Sequence, residues 1–157
     1  MDDLQISNPT VFGSVPRLYN KVNDGIMQEF KKATGIQRFM VNKALESKLQ
    51  NLKYGLGHTH WFWDRLIFNK VRAKLGGNVK VMVTGSAPIA GDTLSFLKVC
   101  FCCPLFEGYG MTESMGGSSM TSALDPKAGH VGGPLANCKV RLKDIPEMDY
   151  YTYKNPP

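Results

Sequence analysis

The chain has 157 residues, of which 43% are hydrophobic and 20% charged, a composition that excludes a disordered chain and suffices for one folded unit with a sizeable core. Its formal net charge of +6 indicates an anionic partner, but the basic residues are spread along the predicted helices, which argues against nucleic acid. The residues after Met1 do not resemble a signal peptide, and no uncharged apolar run approaches the roughly 18 residues of a membrane span.

The first half of the chain is predicted to be mainly helical. Residues 1–16 read as an extended segment with a short strand at 10–12. Beyond it, apolar residues recur every three or four positions, as they do on the buried face of an amphipathic helix. The three helices predicted in this way cover residues 18–33, 39–52 and 61–75.

Two groups of potential metal ligands occur in the sequence. His58 and His60 lie in a predicted loop, and three of the four cysteines lie in the apolar run at residues 99–106. The Cys-x-Cys-Cys spacing matches common zinc patterns poorly, and no second ligand pair is near the histidines. We expect the histidines to be exposed loop residues and the cysteines to be buried thiols, with metal binding as the less favoured alternative.

The pattern changes to strand, helix and strand in the second half. A β-branched strand is predicted at residues 79–84, a helix at 92–101 and a short buried strand at 102–106. The strands of such a βαβ unit are parallel. The loops that directly follow them, 85–88 and 108–110, are therefore expected at one edge of the sheet, where ligands of open α/β sheets bind.

Three further segments are predicted between this unit and the end of the chain. Residues 118–122 read as a polar loop, and residues 129–134 read as a turn-rich bridge. Residues 138–144 alternate as a strand, with Cys138, Val140 and Leu142 on one face.

The stretch 106–114 combines an aromatic ring, a hydroxyl and a carboxylate with two glycines. The glycines allow positive φ and the close approach of a ligand, which leaves the ring of Tyr109 free for stacking. Thr112 offers a donor to a phosphate oxygen, and Glu113 offers the hard oxygen that Mg²⁺ prefers. These groups predict a nucleoside triphosphate site. The stretch alone leaves open a simpler alternative, a turn after a buried strand with Glu113 in the first turn of a helix.

Blocks of sequence in a fixed order connect this stretch with the rest of the chain. They are residues 9–12, 15–18, 63–64, 75–77, 85–88, 107–113 and 129–132. From about residue 9 to 151, the chain resembles the long-chain fatty acid-CoA ligases of the adenylate-forming superfamily, in particular their eukaryotic branch. The resemblance implies an α/β fold, as part of a large adenylate-forming N-terminal domain. In that fold residues 1–77 are mainly helical, and residues 78–157 contain the βαβ unit and the nucleotide loop.

The resemblance also implies a two-step reaction. A fatty carboxylate attacks the α-phosphate of ATP to give an acyl-adenylate, and the thiol of coenzyme A then displaces AMP. Tyr109 would stack on adenine, Thr112 would contact the α-phosphate, and Glu113 would hold Mg²⁺; these last two are the implied catalytic residues. Residues 114–117 would lie toward the acyl pocket, together with Met111. The implied nucleotide-binding residues are Gly85, Ser86, Ala87, Pro88, Glu107, Gly108, Tyr109, Gly110, Met111 and Thr112.

Some parts of the family pattern do not occur in these 157 residues. The Lys-ending phosphate loop, the ribose-binding Asp and the C-terminal catalytic Lys are absent. The chain is therefore expected to be a single partial domain, a central piece of the N-terminal domain that is catalytically silent alone. Relatives start the helix after residues 85–88 with Ser-Pro-Glu, whereas this chain has Ala-Gly-Asp, so the helix is expected to begin at Asp92.

The implied partners are ATP, a fatty acid and coenzyme A, with no nucleic acid. The resemblance places the parent protein inside the cell, peripheral to the endoplasmic reticulum or peroxisome membrane. Two other functions stay open at this point. The parent could activate another carboxylic acid, or it could be a non-catalytic protein that retains the nucleotide loop.

Overall fold

The computed structural model describes residues 2–123 and 125–154, and in them a layer of helices packs on a five-stranded mixed sheet. The predicted α/β class is confirmed. The helices are α1 Asp2–Ser7, α2 Pro16–Lys32, α3 Gly35–Lys53, α4 Trp61–Trp63, α5 Asn69–Arg72 and α6 Gly91–Phe101. The strands are β1 Val11–Ser14, β2 Val81–Thr84, β3 Leu105–Met111, β4 Gly116–Met120 and β5 Gly133–Pro134.

The sheet has a parallel half and an antiparallel half that meet at β3. In the order β1-β2-β3-β4-β5, the first three strands are parallel, as predicted for the βαβ unit. The pairs β3–β4 and β4–β5 are antiparallel. β3 therefore pairs with β2 through residues 105–107 and with β4 through residues 108–111.

The core lies between the parallel strands and the helices. Phe12, Met82 and Leu105 stand on the helix-facing side of three neighbouring strands, and each is less than a tenth exposed. They pack with the apolar faces of α2 and α6. α6 is hydrophobic nearly all round, and the six consecutive positions from Phe96 to Phe101 are all buried.

Tyr19 joins α2 to the first two strands. Its ring packs edge-on against Phe12, with 5.7 Å between the ring centroids. Its hydroxyl lies 2.8 Å from the carbonyl oxygen of Phe12 and 3.2 Å from that of Val83, and it donates to them. Burial raises the pKa of Tyr19 well above its usual value, so the hydroxyl remains a donor.

Replacing Tyr19 by phenylalanine is expected to lower the free energy of unfolding by about 1–2 kcal/mol, because the buried carbonyl of Phe12 and the part-buried carbonyl of Val83 lose their common donor while the ring packing is kept. Urea unfolding followed by tryptophan fluorescence measures the change. Tyr54→Phe, at a ring that is 75% exposed, is the matched control and should have little effect. Equal stabilities of the two variants would contradict a role for the Tyr19 hydroxyl.

The three predicted amphipathic helices are confirmed, with one irregularity. α2 and α3 cover the first two, and residues 61–75 form one helical run. That run contains a π turn at Asp64–Phe68 and ends in a 3₁₀ turn at Ala73–Leu75. Gly76 ends it in the left-handed region, with φ of +89°, as its stop position predicts.

The N-terminal segment differs from the prediction, because residues 2–7 form a helix rather than an extended chain. Leu4 packs against the core, and the backbone of Asn8 lies close to Gly76. A Cβ atom on Gly76 would lie 2.7 Å from the Cα atom of Asn8. A six-residue helix of this kind depends on tertiary contacts, which a short sequence pattern does not contain.

Three predictions in the second half are also wrong in detail. α6 begins at Gly91, one residue before Asp92, and Ala90 precedes it without a side-chain cap. The strand predicted at 102–106 begins only at Leu105, because Cys102 has a left-handed φ of +55°. Residues 118–122, predicted as a loop, contribute most of β4.

Residues 138–144 were predicted as a strand, yet they form none although the structure describes all of them. Val140 and Leu142 are 61% and 68% exposed. Alternation alone does not create a strand when no neighbouring strand or apolar face receives the side chains. The chain end at 155–157 lies outside the described residues.

The cysteines and histidines lie in half-buried or buried surroundings. Cys100 and Cys103 are buried free thiols, as predicted, whereas Cys102 and Cys138 are only half-buried. His58 and His60 are half-buried instead of exposed. The Nδ1 atom of His60 accepts a 3.5 Å hydrogen bond from the backbone N–H of Trp63 and so caps α4.

Candidate functional site

A cleft opens where the parallel strands end. Ser14 and Thr84 are register partners at the carboxyl ends of β1 and β2, and Thr84 is also paired with Glu107, the last residue of β3 that pairs with β2. The cleft beside them has a volume of about 710 Å³. The predicted site residues that line it are Gly85, Ser86, Gly108, Tyr109, Gly110, Met111 and Thr112.

A smaller cavity of about 230 Å³ lies between the loop 85–88 and β3. Ser86, Ala87 and Pro88 line one side, and the other side is formed by residues 107–110. Tyr109, which is 49% exposed, lines both this cavity and the larger cleft. The structure thus brings the two predicted loops together, and the half-exposed Tyr109 lines one cavity with Ser86, Ala87 and Pro88.

Glu107 holds the loop 85–89 against β3. Its side chain is buried, and its Oε1 atom accepts a 3.3 Å hydrogen bond from the backbone N–H of Ile89. The backbone N–H of Glu107 donates to the hydroxyl of Thr121, at 2.9 Å. The second carboxylate oxygen, Oε2, is buried without a partner in the described part of the chain. Glu107 therefore fixes one wall of the smaller cavity and retains an acceptor there.

The glycines around Tyr109 serve a different purpose from the one predicted. Gly108 and Gly110 both have φ outside the left-handed region. A Cβ atom on Gly110 would lie 2.0 Å from the carbonyl oxygen of Gly116, so Gly110 is required by the close approach of β4. The pairing with β4 also shifts register between Tyr109 and Gly110. The segment predicted as a loop is therefore an irregular strand.

The residues after Met111 form a short 3₁₀ turn, Thr112–Ser114. The hydroxyl of Ser114 accepts a 3.1 Å hydrogen bond from the backbone N–H of Met111 and closes the turn. Thr112 is exposed at the cleft. Glu113 is exposed as well, lines neither cavity, and makes no ion pair with any described residue.

Sequence reasoning missed two hydroxyl groups and one apolar residue of the site. Thr84 and Ser119 line the larger cleft, and their hydroxyl oxygens are buried without a partner among the described residues. Thr84 ends a predicted strand, so the sequence predicts its position at the edge of the sheet. Ser119 lies in a segment that was predicted as a loop, so the sequence contains no signal for it. Val131, from the predicted bridge 129–134, lines the smaller cavity.

Comparison with known families gives one match that covers nearly the whole chain. The family described as AMP-binding enzyme matches residues 1–156. Long-chain-fatty-acid–CoA ligase 5 of Mus musculus is 43% identical over 154 residues, which are 98% of this chain and 22% of the relative. Long chain acyl-CoA synthetase 7, peroxisomal, of Arabidopsis thaliana is 43% identical over 159 residues, with 99% and 22% covered. The chain thus spans about a fifth of the length of these relatives.

Solved structures with the same fold are adenylation domains. The A-PCP didomain of carboxylic acid reductase from Segniliparus rugosus, in complex with AMP, has a TM-score of 0.62 and 24% identity. The match covers 98% of this chain and 17% of the didomain. The adenylation domain of a carboxylate reductase from Mycobacterium chelonae has a TM-score of 0.59 and 20% identity, with 98% and 20% covered. At these identities the likeness concerns the fold.

Proposed function

The chain belongs to the AMP-binding enzyme family, and from that premise we propose that it forms part of the nucleotide site of a long-chain fatty acid-CoA ligase. The protein would activate a fatty acid with ATP and transfer the acyl group to coenzyme A. The observation that carries this proposal is the small cavity between Tyr109 and residues 85–88, which adjoins a cleft of about 710 Å³. The names of relatives at 43% identity support the long-chain substrate.

The nucleotide would bind across the two cavities. The adenine would stack on Tyr109 with the backbone of residues 85–88 on its other face. The phosphates would then extend toward Thr112, whose exposed hydroxyl can donate to the α-phosphate. The fatty acid would enter the larger cleft, beside Met111 and residues 114–117. Thr84 and Ser119 would offer their unpartnered hydroxyls there.

Glu113 fits the role of a Mg²⁺ ligand. Its carboxylate is exposed and unpaired with any described cation, so it is free to bind a metal. The described residues contain no cluster of three His, Cys, Asp or Glu side chains that would form a complete protein cage. Mg²⁺ commonly binds one or two carboxylates and takes its other ligands from phosphates and water. When bound, it would neutralise charge on the phosphate oxygens.

The chemistry that we propose for this chain is mainly positioning. In the first step the fatty carboxylate attacks the α-phosphorus and pyrophosphate leaves; in the second the coenzyme A thiol attacks the acyl carbon and AMP leaves. The carboxylate is ionised at neutral pH and already carries a lone pair, so the first step requires no general base. Tyr109 and Thr112 would orient the nucleotide for in-line attack.

Two alternatives differ in substrate or in chemistry. A ligase for another carboxylic acid would have the same nucleotide site, and the carboxylic acid reductase domains show that this fold is not limited to one family of enzymes. A non-catalytic protein would bind nucleotide but release no pyrophosphate. Pyrophosphate exchange by the full-length protein with fatty, short-chain and aromatic acids distinguishes the three. The proposal predicts exchange that is fastest with long fatty acids.

The same assay tests the nucleotide site. Tyr109→Ala in the full-length protein is expected to raise the KM for ATP by about 5- to 150-fold, since base–aromatic stacking contributes roughly 1–3 kcal/mol. Tyr109→Phe keeps the ring and should remain close to the parent. Tyr54→Ala, at another exposed ring, is the control. An unchanged KM for ATP in Tyr109→Ala would show that the base does not stack on this ring.

The structure adds one finding on membranes. No helix in the described ranges is long and apolar enough to cross a bilayer.

A further inference from the structure

The segment 125–132 is closed into a compact loop by one histidine. The Nδ1 atom of His130 accepts a 3.0 Å hydrogen bond from the backbone N–H of Gly132. An imidazole that accepts at Nδ1 carries its proton on Nε2. Nε2 lies 3.1 Å from the Oδ2 atom of Asp125, so it donates to that carboxylate. His130 thus links the two ends of the segment.

Asp125 anchors the loop at its other end. Its Oδ1 atom accepts a 2.9 Å hydrogen bond from the backbone N–H of Lys127. The carboxylate also faces Lys98 of α6: burial lowers the pKa of Lys98, and the nearby Asp125 charge partly opposes that shift. Asp125 therefore interacts with His130, with the loop backbone and with the helix beneath it.

Two close backbone approaches fix the loop on its surroundings. A Cβ atom on Gly132, which has φ of +73°, would lie 2.0 Å from the carbonyl oxygen of Met120 in β4. A Cβ atom on Gly91, at the start of α6, would lie 3.2 Å from the Cβ atom of Ala128. The loop is thus packed against α6 near its middle and against β4 at its C-terminal end. Val131 lies between His130 and Gly132, and its half-buried side chain lines the smaller cavity.

We propose that Asp125 and His130 are positioning residues that hold Val131 in place as the third wall of the base pocket, which is the smaller cavity. The other two walls are the loop 85–88 and Tyr109. Asp125 and His130 act through Val131 on the affinity for the nucleotide and do not touch the reacting atoms. This inference rests on the proposed function, because it takes the smaller cavity as the site of the base. A loop that lost its closing hydrogen bonds would sample other positions and bind the base less tightly, since part of the binding energy would order the loop.

Steady-state kinetics of the full-length protein test the proposal. His130→Ala is expected to raise the KM for ATP about 5- to 10-fold, while kcat and the KM for the fatty acid change less than about twofold. His130→Asn should fall between His130→Ala and the parent, because an asparagine side chain can accept from the backbone N–H two residues on and so replace the bond to Gly132. Lys127→Ala, which keeps the backbone bond to Asp125, is the control with parent-like values.

A second variant tests the role of Val131 without disturbing the fold of the loop. Val131→Ala keeps both hydrogen bonds of His130 and removes only part of the wall, so it should also raise the KM for ATP, by about 2- to 5-fold. An unchanged KM for ATP in both His130→Ala and Val131→Ala would overturn the proposal. So would an equal rise in the KM for ATP and for the fatty acid, since that indicates general loss of structure. If Tyr109→Ala also left the KM for ATP unchanged, the proposed position of the nucleotide site would be wrong. If Tyr109→Ala raised the KM for ATP, only the proposed role of the loop 125–132 would be wrong.

Discussion

Replacing Lys48 by alanine is expected to lower the free energy of unfolding by about 3–5 kcal/mol, the largest stability effect of any single substitution considered for this protein. Lys48 is fully buried at the junction of α3, the π turn and α6. Its Nζ atom pairs with the Oδ1 atom of Asp64 and lies 2.6 Å from the carbonyl oxygen of Val99. It also lies 3.2 Å from the Sγ atom of Cys102.

The size of the effect follows from what the substitution leaves behind. Asp64 is largely buried, and its other oxygen accepts a 2.8 Å hydrogen bond from the backbone N–H of His60. Without the ammonium group, this carboxylate and the carbonyl of Val99 lose their common donor inside the protein. An unpaired buried charge costs more free energy than the intact pair contributes. Removing one partner of the pair therefore destabilises the protein more than replacing both partners by neutral side chains.

Urea unfolding of the protein, monitored by tryptophan fluorescence, measures the change. Lys43→Ala is the matched control in the same helix, because Lys43 pairs with Glu46 at 3.4 Å with both side chains more than half exposed. It should change the stability by less than about 0.5 kcal/mol. Lys48→Met combined with Asp64→Asn should be less destabilised than Lys48→Ala. A Lys48→Ala variant as stable as Lys43→Ala would show that the buried pair is not formed.

The buried lysine also shows where the helix pattern fails as a prediction. The apolar positions of residues 39–52 correctly predict α3, yet Phe39 in that pattern is 70% exposed while Lys48 is fully buried. Ala44, Lys48 and Leu52 are four residues apart and form one face of the helix. A polar side chain can occupy such a face only when a partner meets it, and Asp64 is 16 positions away in sequence. Periodicity contains no information on that pairing.

The parallel half of the sheet is predicted by local sequence patterns, whereas the antiparallel half is not. The β-branched run at 79–84 and the helix after it predict the parallel β2–α6–β3 unit, since these signals are local. The antiparallel half is made of glycines and serines, which have low β propensity and were predicted as loops. β4 can pair with β3 because Gly110 has no side chain: a Cβ atom there would lie 2.0 Å from the carbonyl oxygen of Gly116. The reason for Gly110 lies in the neighbouring strand β4, so the sequence of one segment does not show it.

The sequence predicts that the two loops meet at one edge of the sheet, but it does not predict the shape of the cavity between them. The structure brings Ser86, Ala87 and Pro88 to one cavity with Tyr109, at the sheet edge where the two loops were expected to meet. It adds Thr84, Ser119 and Val131, which come from three separate segments. The positions of Ser119 and Val131 depend on the β3–β4 pairing and on the packing of the loop closed by His130 against β4 and α6. Both are contacts between separate segments, which the pattern within one segment does not show.

Glu113→Gln in the full-length protein is expected to lower the rate of adenylate formation by about 10²-fold or more, because the amide keeps the size of the side chain but removes the charge that would hold Mg²⁺. Pyrophosphate exchange at several Mg²⁺ concentrations measures the effect. The half-saturating Mg²⁺ concentration should rise, and part of the lost rate should return at high Mg²⁺. The transfer of the acyl group from a preformed adenylate to coenzyme A should change much less.

Glu147→Gln provides the comparison, since Glu147 is also exposed and also lies in a 3₁₀ turn, at Pro146–Met148. It should keep the rate and the Mg²⁺ dependence of the parent. If Glu113→Gln lost activity without a change in Mg²⁺ dependence, the carboxylate would act on the substrate rather than on the metal. If it lost no activity, the exposed position of Glu113 outside both cavities would be its functional state as well, and the turn Thr112–Ser114 would contribute only the Thr112 hydroxyl to the site.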